Sequence, residues 1–218
     1  MVFGYHLIWT AYGTWLPNDP RGSMSRTIRS DVIAESGALH YGRKRVQPAG
    51  WVIREFYSRA ASVLRYDLLE FGPEEIRTVG ESLGGTIRRK GYACYACYAC
   101  AVLPDHVHVL IRKHRDQAPA MIAAMQADSR AGILVMARRD PDHPVWGGPG
   151  WVVFLDHPDD FRRTIGYIEA NPVKMRMSMQ RWPFVTPYDG WPLHPGHSPN
   201  SPHARSIRRQ QEGGGGGR

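Results

Sequence analysis

Apolar side chains follow two kinds of spacing along this chain. Residues 3–12, FGYHLIWTAY, form an aromatic and β-branched run that reads as a strand. Residues 92–103 and 106–112 read as two more extended runs, joined by Pro104-Asp105. That pair has turn chemistry, because Pro presets φ and Asp can bond its own backbone. Residues 151–155, WVVFL, read as a short buried strand. Elsewhere the spacing is helical. Residues 51–71 carry apolar side chains at 52, 53, 56, 60, 63, 64 and 68, and Gly72-Pro73 breaks the run. A second helix opens at Pro73, with Glu74 and Glu75 at the positive end of its dipole, and runs to about Lys90 despite Gly84-Gly85. A third spans 116–139, with Met121 and Met125 as core filler. A fourth runs 161–170; the acids of 156–160 cap it, and Pro172 ends or kinks it. The pattern gives four strands with helices between them, which is compatible with an α+β fold.

The remaining segments are turn-rich or polar. Residues 13–22 read as a loop, 23–50 as irregular and surface-exposed, and 140–150 as a loop. Residues 181–191, RWPFVTPYDGW, are expected to pack as an irregular cover. The division is one domain over 1–197 and a basic, Gly-rich tail over 198–218, expected to be disordered on its own.

Composition narrows the partner. No run approaches the ~18 apolar residues of a membrane span. The N-terminus lacks a basic start followed by an apolar stretch, so no signal peptide is expected. Three cysteines inside one short repeat do not make a disulfide framework, which points to a reducing cytoplasm. The net charge is +8. The tail holds four arginines and one glutamate, so the body keeps +5 without it. An acidic polymer is the natural partner of such a chain.

The chemistry gathers in two places. His106 and His108 are two apart on a strand, so both imidazoles leave by the same face. Two imidazoles there are half of a metal site, or else a half-exposed polar face. Just upstream, Tyr-Ala-Cys occurs three times in tandem over 92–100. Cys94, Cys97 and Cys100 suggest an iron–sulfur motif, but a fourth ligand is missing, and strand alternation would turn Cys97 away from its neighbours. A tandem duplication is the simpler account, and its six added residues preserve the facing of the next strand.

The second place is Tyr167-Ile-Glu-Ala-Asn171-Pro172. Tyr167 and Asn171 are four apart and share a helix face. A tyrosine, with a pKa near 10, is a poor nucleophile unless a divalent cation polarises the phosphodiester it attacks. His106 and His108 could hold that cation and Asn171 complete the site. The alternatives are a half-buried core tyrosine and a C-capping asparagine.

The combination of YHLIWTAYGTW, ACAVLPDHVHVLI, WGGPGWVVFLD, DDFRRTIGYIEANPVK and RWPFV resembles the REP-associated tyrosine transposases, a branch of the single-tyrosine HUH, IS200-like superfamily. The resemblance spans about 3–185. It implies a ferredoxin-like sandwich, an antiparallel sheet with helices on one face, with which the strand count agrees. It implies a DNA transposition and recombination enzyme that cuts and rejoins single-stranded DNA hairpins at repeat ends. Tyr167 would be the nucleophile, forming a 5′-phosphotyrosine. Mg²⁺ or Mn²⁺ would sit on His106 and His108, with Asn171 as third ligand. Two departures stand out: the Tyr-Ala-Cys triplication, and residues 23–50, which align with nothing in the family pattern. DNA phosphates are expected to meet Arg112, Lys113, Arg162, Arg163, Lys174 and Arg176, which flank both motifs, with help from Arg205, Arg208 and Arg209 of the tail. The protein is expected in the cytoplasm, DNA-associated, as monomer or dimer.

Two rivals remain. His106-Val-His-Val resembles the start of a histidine-triad nucleotide hydrolase, although Leu110 replaces the third alternating histidine. A non-catalytic DNA-binding derivative of the same fold is the other.

Overall fold

The computed structural model describes residues 2–28, 30–35, 37–92 and 96–190. The tail over 198–218 lies outside the described residues, as does Cys94. The element order is β1 (Gly4–Thr10), α1 (Asp31–Glu35), α2 (Gly50–Val63), α3 (Pro73–Arg89), β2 (Cys97–Val102), β3 (His106–Arg112), α4 (Ala118–Met136), β4 (Trp151–Leu155) and α5 (Pro158–Lys174). Four antiparallel strands lie in the order β2-β3-β1-β4. Apart from α1 and α2, which are inserted after β1, the βαββαβ order and this strand order make a split-βαβ, ferredoxin-like α+β sheet.

The two faces of the sheet differ in chemistry. Tyr5, Leu7 and Trp9 of β1 join Val107, Val109 and Ile111 of β3 on one face. Helices α3 and α4 cover that face with Val79, Leu83, Ile87, Met121, Ile122 and Met125, all essentially inaccessible. Each such side chain contributes about 1.5–3 kcal/mol by leaving water. The opposite face carries His6 and Thr10 from β1 and His106, His108 and Leu110 from β3. Helices therefore occupy both faces: α3 and α4 form the layer expected on one, and α5 lies against β2 and β3 on the other. Phe161 and Ile168 of α5 pack there with Tyr98, Ala101 and Leu110.

Several local expectations change. Helix α2 stops at Val63, eight residues short of its apolar pattern, and the chain turns extended at Leu64. Residues 23–50 contain the five-residue α1 but are otherwise irregular. Strand β2 covers Cys97–Val102 of the expected run, residues 93–95 of which lie outside the described residues, and its register shifts between Cys97 and Ala99. That bulge places an extra residue, Tyr98, opposite β3. Cys97 and Cys100 consequently join the same apolar cluster, not opposite faces. Burial pushes both thiols up, Cys97 to about 12. Thiols buried in an apolar layer are protonated and unreactive.

Helix α5 is longer than expected, and Pro172 lies inside it. Proline removes one N–H, but so near the end only the last turn is affected. The Met175 N–H still reaches the carbonyls of Asn171 (3.1 Å) and Pro172 (3.0 Å). The N-cap is His157, whose Nδ1 accepts from the Asp159 N–H; the acids sit in the first turn instead. The glycines of α3 also have a packing role. A Cβ at Gly80 would stand 2.1 Å from the Trp182 ring, and one at Gly84 2.7 Å from the Phe184 ring. The cover expected from 181–191 docks where α3 has no side chains.

Candidate active site

The turn between β2 and β3 starts the site. The Leu103 N–H bonds the His106 carbonyl at 2.8 Å, closing the turn over Pro104-Asp105. Strand alternation then sends His106 and His108 out of the polar face, their rings perpendicular and 4.7 Å apart. His106 Nδ1 is 2.6 Å from Asp105 Oδ1. Burial alone would raise the Asp105 carboxyl. The hydrogen bond and charge of His106, together with the Trp15 N–H, hold it below the usual range.

His108 is 4% exposed, and its Nδ1 is 2.9 Å from Nε2 of His6. His6 is a residue that the sequence motifs did not single out. It pairs with Leu110 in the β1–β3 register, one diagonal step from His108. Burial pushes His6 down to about 4, and burial with the fields of His106 and His6 pushes His108 well below its ordinary value. At neutral pH both rings are uncharged, and one proton is shared between the facing nitrogens.

This has a measurable consequence. The unfolded chain binds a proton on His6 near pH 6.5, while the folded metal-free protein resists it to about 4. Stability from this group is complete above the unfolded value and is lost as pH falls toward the folded one, on the order of 3 kcal/mol. Urea midpoints should be flat above pH 7 and fall between about 6.5 and 4, with His108 acting in the same direction. His6→Gln should make that slope shallower; an unchanged slope would place the acid sensitivity elsewhere.

Helix α5 brings Tyr167 over the pair. Its ring meets His108 edge-on at 5.5 Å and His6 at 6.1 Å between centroids. Tyr167 is 44% exposed. Among the described residues its hydroxyl has no recorded hydrogen-bond partner. Lys174 Nζ lies 5.2 Å from the ring centroid, a cation–π contact. Asn171, one turn past Tyr167, is 8% exposed.

Whether these residues suit a divalent cation is decided by their unpaired atoms. His108 Nε2 and Asn171 Nδ2 are buried without a hydrogen-bond partner among the described residues. Buried polar atoms in that state are costly and uncommon. His106, held through Nδ1, leaves its Nε2 available. Among the described residues no group of three His, Cys, Asp or Glu side chains is arranged to hold a metal ion. A cation would thus depend on two imidazole nitrogens and the Asn171 amide oxygen; the unpaired His108 Nε2 fits that role, whereas the unpaired Asn171 Nδ2 is a donor and would face an anionic oxygen instead.

The basic residues divide into two groups. Lys174 ends α5 beside the Tyr167 ring, and the exposed Arg176 follows just past the helix. Arg112 and Lys113 lie at the opposite end of β3, beside Gly4, roughly 20 Å from His106 at 3.3 Å per residue. Arg112 is largely covered and sits 3.8 Å from Asp189. Arg162 and Arg163 occupy the first turns of α5 and pair with Asp159 (2.7 Å) and Asp160. Among the described residues of this set, Lys174 is the one in contact with Tyr167.

No family model matches this chain, and no curated protein matches it. Among solved structures, one described as a REP-associated tyrosine transposase bound to a REP hairpin is similar to it over 51% of this chain and 63% of that chain, at 17% identity and a TM-score of 0.39.

Proposed function

We propose that this protein is a metal-dependent single-stranded DNA endonuclease and strand transferase, a tyrosine transposase in its chemistry. The observation that carries the reading is the edge-on approach of Tyr167 to His108 at 5.5 Å, uniting two motifs about 60 residues apart in the chain. The unpaired His108 Nε2 supports a ligand-binding role.

His106 Nε2, His108 Nε2 and the Asn171 amide oxygen would hold Mg²⁺ or Mn²⁺, and the ion would supply polarisation of the scissile phosphate. His6 and Asp105 fix the two imidazoles through their Nδ1 atoms, so the Nε2 lone pairs face the site. Tyr167 Oη attacks phosphorus. The P–O3′ bond breaks as the Oη–P bond forms, Oη gives up its proton, and the leaving 3′ oxygen takes one up to become the free 3′-OH. The product is a 5′-phosphotyrosine. One phosphodiester replaces another, so a later 3′-OH can reverse the step without an energy source. Lys174, beside the Tyr167 ring, holds an adjacent phosphate. The favoured partner is a DNA strand that folds into a hairpin, as the motif resemblance implies.

The test is a labelled single-stranded hairpin oligonucleotide incubated with protein and Mn²⁺. A protein–DNA adduct that survives SDS is expected, with a free 3′-OH on the released fragment. EDTA should prevent it. A nucleotide hydrolase or a DNA-binding derivative leaves no adduct, so its absence across varied hairpin sequences would overturn the reading.

A further inference from the structure

Helix α2 and residues 13–22 stand outside the βαββαβ frame, yet a continuous set of hydrogen bonds connects them to His106. The Asp19 side chain is fully buried. Its carboxylate accepts from the Tyr57 hydroxyl of α2 at 2.5 Å, from the Arg21 backbone N–H at 2.8 Å, and from Arg21 Nη2 at 2.6 Å. A buried carboxylate is sustained only when its charge is matched and its oxygens are filled in this way. The Arg21 guanidinium then lies over the Trp15 indole, 3.8 Å from the ring centroid. The Tyr57 oxygen also accepts the Trp15 backbone N–H at 2.8 Å.

Trp15 has φ of 51°, in the left-handed region that a bulky side chain seldom enters. Such a conformation persists only where its surroundings impose it, and here Arg21 and Tyr57 hold both ring and backbone. Trp15 Nε1 donates to Asp105 Oδ2 at 3.2 Å. The other oxygen of the same carboxylate, Oδ1, receives His106 Nδ1. The Asp105 backbone is fixed as well: its carbonyl accepts from the Ala11 N–H (2.8 Å) and Thr14 Oγ1 (3.1 Å).

We propose that Trp15 and Asp105, supported by Asp19, Arg21 and Tyr57, are positioning residues that lock His106 with Nδ1–H toward Asp105 and Nε2 toward the site. With one oxygen held by Trp15, the Asp105 carboxylate cannot turn, so the imidazole plane and its tautomer are set together. The value of this lock as a metal-presenting device rests on the reading of His106 as a ligand given above; the lock itself does not.

Two measurements on the full chain separate these. The first is a long-range ¹H–¹⁵N spectrum of the histidine rings in metal-free protein at pH 7.5, with His106 assigned from His106→Gln. The second is Mn²⁺ binding by calorimetry. Native protein should show His106 protonated at Nδ1. Asp105→Asn, whose amide cannot accept from both donors, should give mixed tautomers and a Kd raised roughly ten- to hundred-fold. Trp15→Phe keeps a ring under Arg21 and removes only the Nε1 donor; it should shift the tautomer in the same direction by less. Tyr57→Phe provides a milder change if either variant unfolds. Native His106 protonated at Nε2, or an unchanged tautomer in these folded variants, overturns the lock. A weaker Kd with an unchanged tautomer overturns it too. A shifted tautomer in a protein that binds no Mn²⁺ upholds the lock and defeats the metal reading instead.

Discussion

Tyr167→Phe should abolish DNA cleavage while leaving the protein folded and able to bind its hairpin. The substitution removes one oxygen. The ring edges that meet His108 and His6 remain, and so does the face presented to Lys174. No described residue bonds the hydroxyl, and the side chain is nearly half exposed, so stability should move by no more than about 0.5 kcal/mol. Deleting a nucleophile outright costs roughly 10⁶-fold in rate, which is loss of all detectable turnover. The checks are adduct formation on an SDS gel and hairpin affinity by titration. A variant that still nicks the same oligonucleotide at a comparable rate would show that Tyr167 is not the attacking group.

His108→Ala should remove divalent-dependent cleavage and also cost stability. The two effects arise from different nitrogens. Nε2 is the unpaired atom assigned to the cation. Losing a Lewis acid forfeits several kcal/mol of transition-state stabilisation, or roughly 10³-fold at 1.36 kcal/mol per decade. Nδ1 is bonded to His6, and its removal strands a buried imidazole at a cost of about 1–3 kcal/mol. His106→Ala is the control for this ambiguity. Its ring is more exposed and bonded to Asp105, so it should abolish cleavage with a smaller shift in melting temperature. Native cleavage undiminished in EDTA would remove the cation from the mechanism, and with it this account of His106 and His108.

The sequence alone determined what depends on neighbours a few residues away. Strand alternation placed His106 and His108 on one face. Helical spacing placed Asn171 one turn after Tyr167. Pro73, Glu74 and Glu75 marked the start of α3, and the four strands were legible from their apolar runs. Each rests on a local period of 2 or 3.6 residues, which the chain carries wherever it folds.

What only the tertiary structure decided are relations across long separations, or outcomes that packing overrides. Whether β3 and α5 bring Tyr167 to His108 depends on which face α5 covers. His6 enters the site because β1 pairs with β3 in one particular register, and nothing beside it in sequence marks it. The bulge at Tyr98 reversed the expected facing of Cys97, since one inserted residue switches every side chain beyond it. Pro172 stayed helical because α5 is buried against the sheet at Phe161 and Ile168, which outweighs a lost hydrogen bond near its end. Asp105 read as a turn residue and Trp15 as part of a loop. Folding alone joined them, by bringing the segment after β1, some 90 residues upstream, against the turn that precedes His106.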